Sequence, residues 1–420
     1  MKSHTLSIIP SFGMSGEENQ EFIITCRSPD DISLSSPENL SAFLFNMTGL
    51  RIQLHIHTIR QERDGQVVPG CTGVNLTIHA SGPIPNLSDK HAERRFDLVL
   101  YDGDREVGQE KEVFFLYDSI VVLVHGFLAS PRTFDHVLAT REEGILFLVF
   151  NYEDKNFLPA TRIQDSFHAF ITRELTGNGY FGRFDIVCHS MGAQITRLWM
   201  HSYPANNNAN AVRVRQWIGI APVNHGSAGA DGFMAAIVGS LFNRPAFSEL
   251  QTGSMTVKIL DDNQQNEAES LVKYRVIIGY NGRKKWFFYV WYEQDFFPAG
   301  VQKILTRWGF PNGFPIPLGI RGLTRSVYRP GKVYYPTYYG DGAIANYLSM
   351  LPYASIDAFE GRNHSAIMTD PEVCASVIHY LRDNPAVTRN RAFETVIESD
   401  LRSHLKCRKP GTCQEIGEEP

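Results

Sequence analysis

The stretch Asp185-Ile186-Val187-Cys188-His189-Ser190-Met191-Gly192, continued by Gln194-Ile195-Thr196-Arg197-Leu198-Trp199, decides the reading of this chain. An apolar run, a serine among small residues and a helical pattern follow one another, which describes a strand, a sharp turn and a helix start. Such a turn lifts a serine hydroxyl clear of the backbone, where a base and a substrate carbonyl can reach it. A hydroxyl is a poor nucleophile at neutral pH. The same chain must therefore supply a base, an acid that holds the base's tautomer, and N–H donors for the oxyanion.

Working outward, Ser119-Ile120-Val121-Val122-Leu123-Val124 is apolar and β-branched, as expected of a strand buried on both faces of a parallel sheet. Comparable runs lie at 144–150, 184–187, 214–221, 274–280 and 354–359, with helical patterns at 163–175 and 194–201. Strands and helices alternating at these intervals predict βαβ units in a doubly wound, mostly parallel sheet over 118–384. Asn281-Gly282 predicts a hairpin joining 274–280 to the aromatic run 286–292, and 309–317 reads as a Gly/Pro-rich loop. Between 227 and 270 lies an insertion. Its Phe233, Met234, Ile237, Val238, Leu241 and Phe242 share one helical face, which suits either a core helix or an apolar lid.

Residues 1–117 read differently. Alternating apolar and polar residues at 50–59 and 74–79, and a hairpin turning at Asp102-Gly103-Asp104, predict an all-β, sandwich-like N-terminal domain. Residues 385–420 form a charged tail. His55 and His57 alternate on one strand with no third ligand nearby, so an exposed strand face is the expectation. Asp261-Asp262-Asn263 is one acidic cluster without a calcium-loop pattern and reads as a turn or cap.

The remaining chemistry sits at the ends of predicted strands. His125-Gly126-Phe127 follows the first buried strand, where the glycine permits a tight turn and offers the Phe127 N–H. The Met191 N–H, directly after Ser190, is the second donor. His364 lies in Gly361-Arg362-Asn363-His364-Ser365 after the last strand, before a helix opened by Asp370-Pro371-Glu372. Asp341 lies in the loop tripeptide Gly340-Asp341-Gly342, with Asp295 and Asp357 as rival acids. His125 and His189 read as structural, and His225 as lining a pocket or packing.

The chain order Ser190, Asp341, His364 and these motifs resemble the α/β-hydrolase superfamily, lipase-like branch, over about 118–384. His125-Gly126-Phe127 resembles its oxyanion motif, and Cys188-His189-Ser190-Met191-Gly192 its nucleophile turn, with cysteine in place of the first glycine. Ala221-Pro222-Val223-Asn224-His225-Gly226-Ser227 is similar to the Thr-Pro-His-x-Gly-Ser loop after the next strand. The resemblance implies a serine carboxylic-ester hydrolase of lipase or esterase type. Ser190, Asp341 and His364 would be catalytic, Phe127 and Met191 would form the oxyanion hole, and neither cofactor nor metal would be needed. It implies a small-molecule or lipid ester as substrate and contact with a lipid interface. An acyltransferase or amide hydrolase uses the same triad, and a non-catalytic binding protein uses the same fold.

Composition bounds the alternatives. The 420 residues carry a net charge of −5, which leaves no basic footprint for nucleic acid. No apolar run approaches the roughly 18 to 20 residues of a membrane span. The N-terminus lacks the apolar region of about 7 to 15 residues of a signal peptide. The expectation is a cytoplasmic protein, one exported by another route, or a processed form. Six cysteines do not make a disulfide scaffold. Cys188 and Cys374 read as buried thiols, while Cys26 with Cys71, and Cys407 with Cys413, are the possible pairs.

Overall fold

The computed structural model describes residues 5–14, 20–28, 39–48, 50–63, 74–82, 94–140, 144–202, 213–227, 230, 245–280, 289–292, 314–317, 341, 344, 346–360 and 362–382. The chain divides into two compact units. One is Met1–Val121, Glu142–Leu148 and Ala169–Phe184; the other is Val122–Arg141, Val149–His168 and Asp185–Pro420.

The N-terminal strands are β1 (Thr5–Ile9), β2 (Phe12–Met14), β3 (Gln20–Ser28), β4 (Leu40–Phe45), β5 (Arg51–Arg63), β6 (Val74–Gly82), β7 (Arg95–Asp102) and β8 (Arg105–Tyr117). They form one mostly antiparallel sheet in the order β1-β3-β6-β5-β4-β7-β8-β2. Only β2 against β8 is parallel among the pairings described. The expected sandwich is thus one continuous sheet that folds back on itself. β1 lies against β8, and Leu6, Ile24, Leu44, Leu54, Leu98 and Phe114 share one core. The period-2 pattern produces this, because every second residue of a strand faces the same side. The β7–β8 hairpin turns at Gly103 with φ +59°, as the sequence predicts. A register shift in β5 between Ile56 and Thr58 breaks the alternation at His57, whose Nε2 lies 2.6 Å from Ser81 Oγ.

The second sheet contains β9 (Ser119–Val124), β10 (Ile145–Phe150), β11 (Phe184–His189), β12 (Val214–Ile220), β13 (Lys273–Tyr280) and β16 (Ser355–Glu360), ordered β10-β9-β11-β12-β13-β16. All six follow runs identified in the sequence. β12, β13 and β16 pair in parallel. Every residue of β9 and β11 is buried, which is why those runs are mostly apolar. Chain order reverses between β9 and β11. In an open parallel sheet such a switch point opens a crevice beyond the carboxyl ends of the two strands.

The helices are α1 (Asp135–Ala139), α2 (Ala160–Glu174), α3 (Gly192–Ser202), α4 (Pro245–Glu249), α5 (Met255–Asp262), α6 (Gln264–Glu269), α7 (Asn346–Ser349) and α8 (Pro371–Leu381). α2 buries Ile163, Phe167, Phe170 and Ile171, a helical stripe. α8 starts where Asp370 accepts hydrogen bonds from the Glu372 and Val373 N–H groups, with Pro371 at the first helical position.

Two expectations are corrected. β14 (Tyr289–Tyr292) does not form a hairpin with β13, whose two edges are already taken by β12 and β16. It pairs antiparallel with β15 (Phe314–Pro317), so the end of the supposed 309–317 loop is a strand. Within the insertion, the helices α4, α5 and α6 are anchored. Thr161 Oγ1 donates to Glu249 at 2.7 Å, and Arg197 of α3 pairs with Glu267 of α6, both fully buried. The apolar stripe at 233–242, the run 286–288 and the tail 385–420 lie outside the described residues, as do Cys71, Cys407 and Cys413. Cys26, Cys188 and Cys374 are free, buried thiols. Among the described residues no helix is long and apolar enough to cross a membrane, and no cluster of three metal-ligating side chains occurs.

Candidate active site

β11 delivers Ser190 at its carboxyl end, and α3 begins two residues later. Ser190 has φ +53°, a left-handed backbone that costs a serine about 1–3 kcal/mol and persists only where the surroundings enforce it. Three contacts do so. The Ser190 N–H donates to Ile220 O at 3.2 Å, and the Ser190 carbonyl accepts from Ala193 N at 3.0 Å and Val223 N at 3.3 Å. Close backbone approach completes the turn. A Cβ on Gly192 would lie 2.5 Å from Val124 O, and one on Gly126 would lie 2.7 Å from Ser190 Cβ. Cys188, in place of a glycine, is fully buried with Sγ 3.6 Å from Ile218 O, and burial pushes its thiol pKa up.

The loop after β16 carries His364. Its Nε2 lies 2.9 Å from Ser190 Oγ and its Nδ1 lies 2.6 Å from Asp341 Oδ2. Because a carboxylate only accepts, Nδ1 carries the proton and Nε2 is free to accept one from the hydroxyl. Asp341 Oδ1 accepts from the Ile344 N–H at 2.8 Å, and the His364 N–H donates to the Asp341 carbonyl at 3.1 Å. All three side chains are buried. Of the rival acids, Asp357 accepts from the Tyr380 hydroxyl and does not meet His364; Asp295 lies outside the described residues.

The oxyanion candidates flank the hydroxyl. Met191 immediately precedes the first turn of α3, where N–H groups have no intrahelical acceptor and the helix dipole favours negative charge. Phe127 follows Gly126 in a turn closed by Ala129 N to Gly126 O at 3.3 Å, with Leu128 at φ +55°. Among the described residues neither the Phe127 nor the Met191 N–H donates to a backbone carbonyl. The Phe127 ring packs edge-on against Phe157 and meets Phe247 of α4.

The other histidines are engaged elsewhere. His125 stacks on Tyr152, accepts the Tyr152 N–H at Nε2 and lies against Gly126 O through Nδ1. Burial lowers its pKa. His189 donates from Nε2 to the His364 carbonyl at 3.0 Å. Burial, then the neighbouring His364, keeps its pKa well below the usual range, so it stays neutral. His225 meets Asp261 Oδ1 at 2.6 Å and Met350 O at 2.8 Å. The sequence carries no signal for these contacts, since their partners lie 36, 125 and 175 residues away.

The family profile described as "Alpha/beta hydrolase family" matches residues 121–377. No curated protein matches the sequence. Among solved structures, the chain is similar to the mature form of Bacillus licheniformis lipase BlEst2, at 15% identity and TM-score 0.41, covering 63% of this chain and 91% of that one. It is also similar to the metagenomic carboxyl esterase MGS0156, at 13% identity and TM-score 0.41, covering 63% and 76%. Aspergillus fumigatus lipase B is similar at 11% identity and TM-score 0.37, covering 66% and 56%.

Proposed function

Because the chain belongs to the Alpha/beta hydrolase family, we propose that it is a serine carboxylic-ester hydrolase of the lipase or esterase type, acting on lipid or other apolar acyl esters. The observation that carries this reading is the hydrogen-bonded series from Ser190 Oγ through His364 to Asp341, at 2.9 and 2.6 Å. In this reading residues 118–384 are the catalytic domain and 1–117 a separate β domain.

Ser190 Oγ attacks the acyl carbon while His364 Nε2 takes its proton. The Asp341 carboxylate stabilises the imidazolium and holds Nδ1–H in place. Charge on the tetrahedral oxygen is received by the Phe127 and Met191 N–H groups, each worth about 3–4 kcal/mol in comparable sites. His364 then protonates the leaving alkoxide, and a water deprotonated by the same nitrogen releases the acid from the acyl-enzyme.

The test is Ser190→Ala assayed on p-nitrophenyl esters of increasing acyl length, with and without a lipid–water interface. A loss of kcat well below about a thousandfold would sink the role of Ser190, since nucleophiles of this kind carry more. A profile that falls with acyl length, unaffected by an interface, would remove the apolar-ester part of the reading.

A further inference from the structure

The loop leaving β12 touches the nucleophile and the acid's segment at once. Val223 N–H donates to the Ser190 carbonyl at 3.3 Å. The next two residues turn to the segment downstream of Asp341. His225 N–H donates to Leu348 O at 2.9 Å, Asn224 Nδ2 donates to Ser349 O at 2.5 Å, and His225 Nε2 donates to Met350 O at 2.8 Å. Two adjacent residues thus hold three consecutive carbonyls.

Those carbonyls need holding. Leu348 and Ser349 end the four-residue helix α7, and the last carbonyls of a helix have no partner within it. Leu348 and Met350 are fully buried and Ser349 nearly so; a carbonyl released there would lack a compensating partner. The same segment carries the acid, because the Asp341 N–H donates to the Ile344 carbonyl at 3.2 Å and the Ile344 N–H donates to Asp341 Oδ1 at 2.8 Å.

The clamp is itself fixed from behind. Arg197 Nη1 of α3 lies 3.3 Å from both the carbonyl and side-chain oxygens of Asn224, while Nε and Nη2 of the same guanidinium bind Glu267. Asp261 of α5 takes His225 Nδ1 at 2.6 Å. Both His225 nitrogens therefore face pure acceptors, which fixes the ring plane.

We infer that Asn224 and His225 are positioning residues that set the Asp341 carboxylate against His364, with Asp261 orienting the His225 ring. The inference rests on reading Ser190, His364 and Asp341 as the catalytic series. It goes beyond that reading by giving the acid's placement a cause outside the series itself.

The test compares Asn224→Ala, His225→Gln and Asp261→Asn with Asp185→Asn, a buried carboxylate on β11 that pairs with Arg215. Each folded variant is assayed for thermal midpoint, for kcat and KM on one p-nitrophenyl ester, and for the far-downfield proton resonance of the His364 Nδ1–H to Asp341 bond. Expected for the clamp variants is a fall in kcat of about tenfold or more at a KM within about twofold, with that resonance shifted or lost. Asp185→Asn should lose thermal stability while keeping kcat and the resonance. Clamp variants that keep the resonance and kcat within about twofold overturn the inference, as does equal loss of kcat in Asp185→Asn at equal loss of stability. Should Asn224→Ala not fold, His225→Gln and Asp261→Asn decide. A wild-type Ser190 that resists a fluorophosphonate probe would sink the catalytic reading instead. The resonance would still judge the clamp, since it reads the His364–Asp341 contact without turnover.

Discussion

His189 Nε2 donates to the backbone carbonyl of His364 at 3.0 Å, so the residue just before Ser190 holds the loop that carries His364. The two rings also lie with centroids 4.8 Å apart. Removing the donor by His189→Ala should loosen the loop and displace the His364 ring from Ser190. Displacements near 1 Å cost up to about a hundredfold in comparable sites. Steady-state kinetics should therefore show kcat down about tenfold to a hundredfold with KM little changed. An unchanged kcat would mean the loop is held without His189.

Gly192→Ala should abolish the turn rather than weaken it. The new Cβ would sit 2.5 Å from Val124 O and 2.7 Å from His125 O, both backbone atoms that cannot rotate away. Overpacking of this kind costs about 1–3 kcal/mol or more. The expected result is a lower thermal midpoint together with loss of fluorophosphonate labelling of Ser190.

Glu267→Gln should be among the most damaging single changes far from Ser190. Burial alone would push the Glu267 carboxyl pKa up, but Arg197 and His201 outweigh it and hold it below the ordinary carboxylate range. The Tyr353 hydroxyl also donates to it. Breaking such a pair leaves Arg197 buried and uncompensated, a loss of about 3–5 kcal/mol by urea unfolding at neutral pH. Because the folded value is depressed, this stabilisation is complete above the unfolded-state value near about 4.3 and is lost as pH falls through the folded value. The gap between wild type and variant should shrink on acidification and stay constant above about pH 6.

The three buried thiols should be inert in the native protein. Burial pushes Cys26 and Cys374 up to about 11 and Cys188 higher still, so almost no thiolate exists at neutral pH. Alkylation at pH 8 followed by peptide mapping should leave all three unmodified until denaturant is added. Fast native labelling of Cys188 would show that the strand below Ser190 opens.

Much of the six-stranded sheet was legible in the sequence. A strand buried on both faces is apolar at most positions, so β9 and β11 announce themselves without neighbours. The β13–β14 hairpin misled because Asn281-Gly282 is a local signal, whereas pairing needs a free edge and β13 has none. The N-terminal strands were legible as elements through their alternation, but their closure into one continuous sheet depends on long-range pairing that alternation does not encode.

The site divides along the same line. The sequence by itself determined the fold class, the turn at Ser190 and the loops that hold His364 and Asp341, because strand periodicity, small residues and helix-start signals act over a few neighbours. Only the tertiary structure decided which carboxylate faces His364. Asp341 and Asp357 look alike as residues, and the choice depends on Tyr380 engaging one while the loop after β16 meets the other. It likewise decided that His225 and Asn224 grip the 348–350 carbonyls and that Arg197 is neutralised by Glu267, 70 residues away. Hydrogen bonds and ion pairs in a dry interior are set by where the backbone brings groups together, and that geometry is a property of the whole fold rather than of any stretch within it.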